Sequence, residues 1–245
     1  MVKVKFLERD NKTYKFLVEN TDSVVLNTIR RTISYYVPIY AIDEIEFIEN
    51  NSVVFDEMLS NRIALSPVLS PLLNTGKKVT FNLDVKGPST VYTKELESND
   101  SQIKMVYDTI PLAKLNENEA IRLLAYAVLG QGKDHVKYMP AIVSYAQLCE
   151  LESSRSCENC KAVFEKVSKN AIKAESSKNI VIAPEDYDFV VAQIESCEKK
   201  CLKINPTNNY ILNVELIGQI KSKDLFKLTD RYIKEYTGIL KKKLK

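Results

Sequence analysis

Residues 21–67 decide the fold of this chain, and they read TDSVVLNTIRRTISYYVPIYAIDEIEFIENNSVVFDEMLSNRIALSP. Asp22 or Ser23 can begin a helix, because a short polar side chain there accepts hydrogen bonds from free backbone N–H groups. Apolar residues then recur at the spacing of one helical face until Pro38, before which helical backbone is disfavoured. The members of that face are Leu26, Ile29, Ile33 and Tyr36.

A strand and a second helix follow in the same stretch. Residues 39–49 form a strand-like run, in which Ile45 and Phe47 alternate with Glu44 and Glu46. Asp56 can begin the second helix, which carries Arg62 and ends before Pro67. The stretch therefore predicts a helix, a strand and a helix in about fifty residues, with few residues between them.

This ordered series resembles the α-motif of the α-like subunits of DNA-dependent RNA polymerases. The resemblance is strongest to the D-type subunit of archaeal polymerases, and it extends to the eukaryotic third subunits and the bacterial α N-terminal domain. The segments that carry it are Asn27 to Arg31, Val37-Pro38, Ala41 to Glu46 and Asp56 to Pro67. Further matches follow at Ile110-Pro111, Ala125-Tyr126, Gly130-Gln-Gly-Lys133, His135 and Lys137.

Composition places the chain among ordinary globular proteins. Of its 245 residues, 45% are apolar and 27% are charged, which allows one large domain or two modest ones. No apolar run reaches the roughly 18–20 residues of a membrane helix, and the N-terminus lacks the apolar segment of a signal peptide. We therefore expect a cytoplasmic protein without a membrane partner. The net charge of +3 does not indicate an independent nucleic-acid binder.

Outside residues 21–67, the sequence predicts several strands and one long helix. Residues 118–129 fit either a helix or a strand, and the resemblance to the archaeal D-type subunit favours the strand. Residues 205–209, Asn-Pro-Thr-Asn-Asn, are typical of a turn. Residues 222–244 predict a helix with a wide apolar stripe and a basic end. The other predicted strands are 2–7, 13–18, 79–85, 89–94, 102–107 and 210–220.

Five cysteines lie between positions 149 and 201, and in a reducing compartment they favour thiols or metal ligands over disulfides. Cys157 and Cys160 form a CxxC pair, and Cys197 and Cys201 form a CxxxC pair. The segment resembles a degenerate bacterial-type ferredoxin insert of the kind that some archaeal D-type subunits carry. That resemblance places Val163 and Val167 at the third and fourth ligand positions, and Val191 and Ile194 at two others.

Three alternatives remain open for this segment. An impaired iron–sulfur cluster would keep the thiolates of Cys157, Cys160 and Cys201. Zinc would use those three and Cys197, because structural zinc sites take four thiolates at such short spacings. The third alternative is a relic without metal, in which the apolar replacements pack a small core. Those replacements favour the relic over either metal.

No catalytic group of residues emerges from the sequence. Gly130-Gln-Gly-Lys133 lacks the glycine spacing of a phosphate loop, and no Ser or Thr follows its lysine, so a tight turn explains it better. His135 is the single histidine, and spacing supplies no nucleophile for it. A stand-alone enzyme that uses His135 and Lys133 is therefore a weak alternative.

The resemblance implies an α+β fold with a discontinuous α-subunit-type dimerisation domain. That domain, an antiparallel sheet plus two helices, would comprise residues 1–48 and 206–245. An antiparallel β-rich insert domain would occupy residues 49–148. The degenerate ferredoxin-like insert would occupy residues 149–205.

The resemblance also implies a non-catalytic assembly platform of DNA-directed RNA polymerase. It would pair with a small partner like archaeal subunit L, dock the large catalytic and other small subunits, and meet DNA only indirectly. The residues expected at the small partner are Leu26, Ile29, Ile33, Leu225, Tyr232 and Tyr236. Those expected at the large subunits are Arg30, Arg31 and Arg62. A ferredoxin-like iron–sulfur electron carrier is the alternative function.

Overall fold

A computed structural model describes residues 2–10, 12–71, 76–153, 163, 165–167, 171–172, 180–195 and 202–243. The chain divides into two compact units. The first unit comprises Met1–Arg30 and Val143–Val214, and the second comprises Arg31–Ile142 and Glu215–Lys245. Both combine helices with sheets whose paired strands are mostly antiparallel, so the predicted α+β class is confirmed.

The strands and helices are numbered here in chain order. The strands are β1 (Lys3–Asp10), β2 (Thr13–Glu19), β3 (Ile39–Asn50), β4 (Val79–Lys86), β5 (Ser89–Tyr92), β6 (Glu97–Ser98), β7 (Pro111–Leu115), β8 (Ala120–Gly130), β9 (Ala141–Ser153), β10 (Ile180–Ile182) and β11 (Leu202–Leu216). The α-helices are α1 (Ser23–Arg31), α2 (Asp56–Leu65), α3 (Tyr187–Glu195) and α4 (Ser222–Lys243). A π-helix spans Thr32–Tyr36, and 3₁₀ turns span Thr93–Glu95, Val136–Tyr138 and Pro184–Asp186.

The first unit is built on a five-stranded sheet in the order β1-β2-β11-β9-β10. The predicted N-terminal hairpin is confirmed, since β1 and β2 pair in antiparallel fashion from Lys3–Glu19 to Asp10–Thr13. Leu17 of β2 is fully buried and belongs to an apolar cluster with residues of three other strands. Those residues are Leu148, Val181 and Ile211.

The turn predicted at residues 205–209 is wrong, because β11 runs straight through it. Polar side chains that favour turns elsewhere bond to neighbouring strands here. The Thr207 hydroxyl donates to the Leu148 carbonyl over 2.7 Å, and the Asn205 amide donates to the Glu152 carboxylate over 2.8 Å. These long-range bonds tie the segment to β9, so the strand continues.

The second unit contains a four-stranded sheet in the order β3-β8-β4-β6 and a separate β5-β7 pair. Strand β8 confirms the strand interpretation of residues 118–129, and it pairs with β3 along Ile39–Gly130 to Asn50–Ile121. Helix α2 packs against β3 and β7 and contributes Leu59 and Ile63, both fully buried. These residues share one core with Tyr40, Ile42, Phe81, Leu83, Leu112 and Leu123.

The strand predicted at residues 102–107 is also wrong, since this segment makes only a single bridge, Met105 to Val68. Its backbone bonds go to the segment after α2. The Val106 N–H donates to the Pro67 carbonyl, and the Leu69 N–H donates to the Lys104 carbonyl. The neighbour of this segment is thus an irregular stretch, which cannot continue a ladder of strand hydrogen bonds.

The helix predicted to run up to Pro38 is an α-helix only in its first part, and its last turn is a π-helix. Regular α-helix ends at Arg31, and the π-helix Thr32–Tyr36 completes the segment. The C-terminal helix predicted over 222–244 is confirmed as α4. Within the described part of the chain, no helix combines the length and the apolar character that crossing a membrane requires.

Candidate assembly interface

Three tyrosines join α4 to the π-helix, and we refer to Tyr36, Tyr232 and Tyr236 as the tyrosine cluster. The rings of Tyr36 and Tyr232 stack with centroids 5.9 Å apart and planes 26° apart. Tyr36 also contacts Tyr236 at 5.8 Å, and Tyr232 stacks on Tyr236 at 6.0 Å. Ring pairs at these distances are favourable. The cluster therefore holds the middle of α4 against the last turn of the N-terminal helical segment.

Residues 130–133, which begin at the last residue of β8, close over the end of the π-helix, and we call them the glycine loop. The backbone N–H of Lys133 donates to the Tyr35 carbonyl over 3.1 Å. The side-chain amide of Gln131 donates to the Tyr36 carbonyl, also over 3.1 Å. Carbonyl groups at a helix end lack partners within the helix. The loop supplies two of the missing donors, which is a different role from binding phosphate.

Both glycines of this loop are needed for close packing. A Cβ at Gly132 would lie 2.0 Å from the Ser34 carbonyl oxygen of the π-helix. A Cβ at Gly130 would lie 2.5–2.7 Å from ring atoms of Tyr138. The sequence prediction of a tight turn therefore has a specific cause, because backbone and ring approach where a side chain would stand.

The six residues predicted to contact a small partner differ widely in exposure. Leu26, Ile33 and Leu225 are fully buried, so they offer no surface to another chain. Ile29 and Tyr232 are half-buried, and Tyr236 is 52% exposed. Of the six, Tyr236 is therefore the residue with most surface available for an outside contact.

Two site residues were missed by the sequence analysis. Ile239 and Leu240 are 52% and 54% exposed, and together with Tyr236 they form what we call the apolar edge of α4. Their spacing of three and four residues puts them on one side of the helix. The signal was present in the apolar stripe of 222–244, but the stripe alone does not reveal which of its members remain exposed.

A second exposed apolar surface lies around α2. Phe55, Met58 and Leu65, which we call the α2 face, are 72%, 52% and 49% exposed. Arg62 is also exposed, and its guanidinium donates to the Leu112 carbonyl over 2.9 Å. A groove of about 490 Å³ between β3 and α2 carries acidic side chains along its wall. They are Asp43, Asp56 and Glu57.

The other two arginines predicted at large subunits lie at the end of α1. Both Nε and Nη2 of Arg30 donate to Oδ1 of Asn27, over 3.2 and 2.9 Å, and Arg30 is half-buried. Arg31 is exposed. Arg30 is thus oriented by its own helix, whereas Arg31 presents its charge to the surroundings.

Comparison with known proteins decides the family. Residues 42–142 match the family described as RNA polymerase Rpb3/RpoA insert domain. The DNA-directed RNA polymerase subunit Rpo3 of Thermococcus kodakarensis is 33% identical over 96% of this chain and 98% of its own length. The chain belongs to the Rpo3 family of DNA-directed RNA polymerase subunits.

Other members of the Rpo3 family agree with this assignment. The Rpo3 subunit of Pyrococcus furiosus is 33% identical over 96% of this chain and 97% of its own length. That of Halobacterium salinarum is 40% identical over 59% of each chain. The resemblance to the archaeal D-type subunit inferred from the sequence is therefore confirmed.

The carboxylate of Asp43 holds the turn that follows the glycine loop in this Rpo3-family chain. Lys137 Nζ lies 2.5 Å from Asp43 Oδ1, and the Tyr138 hydroxyl lies 3.2 Å from the same oxygen. The hydrogen bond from Lys137 holds the pKa of Asp43 below its usual value. Burial, followed by the Asp43 charge, raises the pKa of Tyr138, which therefore stays a neutral donor.

His135 takes part in the same turn. Its Nδ1 accepts a hydrogen bond from the Lys137 backbone N–H over 3.1 Å. The ring thus caps the 3₁₀ turn Val136–Tyr138, which gives His135 a structural role. Lys133 is exposed, and its described contact is the backbone bond to Tyr35.

The four cysteines predicted as metal ligands, Cys157, Cys160, Cys197 and Cys201, lie outside the described residues. Nearby positions are described. Val163 and Val167, at the third and fourth ligand positions of the ferredoxin resemblance, are 1% and 0% exposed. They pack in an apolar cluster with Leu151, Ile182, Val190 and Leu202. Cys149 belongs to that cluster too, and burial raises the pKa of its thiol.

Proposed function

We propose that this chain is the non-catalytic assembly platform of its RNA polymerase. It pairs with a smaller α-type subunit, like archaeal subunit L, and then docks the large catalytic subunits. The observation that carries the proposal is the apolar edge of α4, whose three side chains are each more than half exposed beside the tyrosine cluster. An exposed apolar surface of this kind marks a contact with another protein.

The apolar edge suits a helix of the partner. Tyr236, Ile239 and Leu240 form a ridge on one side of α4, and such ridges pack into the grooves of a facing helix. Ile33 and Leu225 are fully buried, so they support the fold of the helical segments and do not line the contact. Tyr232 contributes its half-exposed surface. The proposed interface is therefore shifted along α4 from its centre toward its C-terminal half.

The α2 face is the proposed docking surface for a large subunit. Phe55, Met58 and Leu65 would supply apolar contact, and Arg62 and Arg31 would pair with carboxylates, for which a planar guanidinium is well suited. Interfaces combine such an apolar centre with a charged rim. DNA would be met only through the large subunits, and the proposal assigns no catalytic residue to this chain.

We also propose the domain division that the family resemblance implies. Residues 1–48 and 206–245 form the dimerisation domain, 49–148 the insert domain and 149–205 the ferredoxin-like insert. The family match over residues 42–142 supports the boundaries proposed for the insert domain, residues 49 and 148. We propose a cytoplasmic location, as the sequence analysis expects.

The ferredoxin-like insert is proposed as a relic without a complete iron–sulfur cluster. Cluster iron needs thiolate ligands, and Val163 and Val167 place hydrocarbon at two ligand positions. These valines pack with other apolar side chains, so the residues present do not fit a four-thiolate cluster there. None of the three relatives named above carries a name that indicates electron transfer, so the electron-carrier alternative gains no support.

Co-expression with the small α-type subunit of the same organism tests the proposal. We expect a one-to-one complex on size-exclusion chromatography, and loss of the complex in the variant Y236A/I239S/L240S. The matched control is F55S/M58S/L65S, which should keep the small partner and lose a large subunit in a three-component pull-down. Absence of a wild-type complex at low salt, or equal behaviour of the two variants, would refute the proposal.

A further inference from the structure

Gln131 lies where three separate parts of the second unit meet. Its side chain belongs to the glycine loop, and its amide nitrogen donates both to the Tyr36 carbonyl and to the Tyr232 hydroxyl. One bond caps the π-helix and the other reaches α4, which is 101 residues away in sequence. A single primary amide has two N–H donors, so both bonds form at once.

The chemistry of the acceptors fixes the orientation of this amide. The Tyr36 carbonyl oxygen can only accept, so the group that faces it must be the NH₂ and not the amide oxygen. The same nitrogen then has one hydrogen left, and the Tyr232 hydroxyl takes it. Glu at this position has no N–H group, so it cannot donate to the Tyr36 carbonyl, although its carboxylate can accept from the Tyr232 hydroxyl. Met has neither a donor nor an oxygen acceptor in its side chain and therefore loses both bonds.

The loop itself is held rigidly against the π-helix. Lys133 N–H bonds to the Tyr35 carbonyl, the Asp134 N–H closes the loop onto the Gln131 carbonyl over 2.9 Å, and Gly132 lies against Ser34 without room for a Cβ. Gln131 therefore projects from an anchored support. Its bond to Tyr232 limits the rotation and sliding of α4 on the π-helix.

We propose that Gln131 is a positioning residue for the small-partner interface. By bonding the π-helix and α4 together it presets the orientation in which Tyr236, Ile239 and Leu240 meet the partner. The conformational entropy that is lost when α4 is fixed in this orientation is then lost during folding of this chain. Association no longer includes this unfavourable term, which strengthens binding. This inference rests on the proposed function, because it names what orients that interface.

The test compares Q131E and Q131M with Q147E in the full chain. Gln147 is a matched control, because its amide also donates to a backbone carbonyl, that of Thr207 over 2.8 Å, in the first unit. We expect Q131E and Q131M to bind the small α-type subunit about tenfold more weakly than wild type, and Q147E to bind like wild type. Equal affinities of wild type and the Q131 variants would overturn the inference.

A second measurement needs no partner. Hydrogen exchange of the α4 backbone in the isolated chain should be faster in Q131M, which loses both bonds, than in wild type or Q147E, with the exchange of β8 unchanged. If wild type binds no partner but α4 exchange still responds to Q131M, the proposed function fails while the bond between loop and helix stands. Unchanged exchange in α4 would overturn the positioning role directly.

Y232F separates positioning from simple helix capping. It keeps the ring stack and removes the hydroxyl that Gln131 reaches. If Gln131 acts through Tyr232, the losses of affinity in Q131M and Y232F are not additive in the double variant. Additive losses would show that Gln131 only caps the π-helix, and would overturn the inference.

Discussion

The rings of Tyr36 and Tyr232 stack at 5.9 Å, which joins the last residue of the π-helix to the middle of the C-terminal helix. Position 36 ends the helical segment of the α-motif, and position 232 lies near the end of the chain. Their contact brings the two helical segments, predicted from opposite ends of the sequence, into one structure. The proposed partner surface depends on this contact, because the apolar edge continues along the same helix.

Removal of the Tyr36 ring should loosen α4. In Y36A the ring loses its contacts with both Tyr232 and Tyr236, and we expect the free energy of unfolding to fall by about 2 kcal/mol from lost burial and ring pairing. Denaturant unfolding followed by circular dichroism measures this. Y36F keeps the ring and should change the value by less than about 0.5 kcal/mol. A similar loss in both variants would contradict a role for ring stacking.

Two glycine substitutions should have opposite effects on stability. G132A places a Cβ 2.0 Å from the Ser34 carbonyl oxygen, so the backbone must shift, and we expect destabilisation by about 1–3 kcal/mol. G238A lies within α4 with no atom within 4 Å of its Cβ, and it should stabilise the isolated chain by about 1 kcal/mol. Thermal unfolding of both variants checks the pair. A tolerated G132A would contradict the close approach of loop and π-helix.

The Asp43–Lys137 pair should make stability fall at acid pH. The hydrogen bond lowers the folded-state pKa of Asp43 below its ordinary value of 3.8. Its stabilising contribution is therefore complete above that value and disappears as pH falls through the lower folded-state value. The difference in unfolding free energy between wild type and D43N should be larger at pH 7 than at pH 2–3.

K137M provides the control for this pH dependence. Without the lysine the main cause of the lowered pKa is gone, so D43N in the K137M background should show a smaller change with pH. Denaturant unfolding of the four proteins across the acid range completes the cycle. An unchanged pH dependence in the K137M background would assign the effect to another group.

Metal analysis should find no stoichiometric iron in the anaerobically purified chain. Val163 and Val167 fill two ligand positions of the ferredoxin pattern with buried hydrocarbon, which leaves a cluster short of thiolates. Zinc is measured in the same samples, with C157A/C160A as the control, because a zinc site of paired cysteines would lose its metal there. One iron–sulfur cluster per chain, with a visible band that bleaches on reduction, would contradict the relic proposal.

Much of the fold was predictable because it follows local periodicity. The hairpin of β1 and β2, the strand β3 and the long helix α4 were visible as period-two or period-3.6 patterns, and α2 was visible from the residues that begin and end it. The predictions that failed have one cause in common, which is hydrogen bonding to residues distant in sequence. Residues 205–209 were expected to turn and instead form part of β11, because Thr207 and Asn205 bond to β9, more than fifty residues earlier in the chain.

The candidate site was predictable in part. The apolar stripe of α4 and the family resemblance pointed to Tyr232 and Tyr236, and the glycines at 130 and 132 indicated a tight turn. The role of Gln131 left no trace in the sequence, because its two acceptors lie about ninety residues before and one hundred residues after it. Only folding brings such acceptors together.

By itself the sequence determined the kinds of element, their order and the family, since these depend on periodicity, on turn and cap residues and on an ordered set of matching positions. The tertiary structure decided which apolar residues remain exposed and can contact another chain. Leu225 and Leu240 belong to the same helix, yet the first is fully buried and the second is 54% exposed. The reason is that the N-terminal part of α4 is covered within the chain while its last turns extend beyond the π-helix contact, and exposure of this kind depends on neighbours distant in sequence.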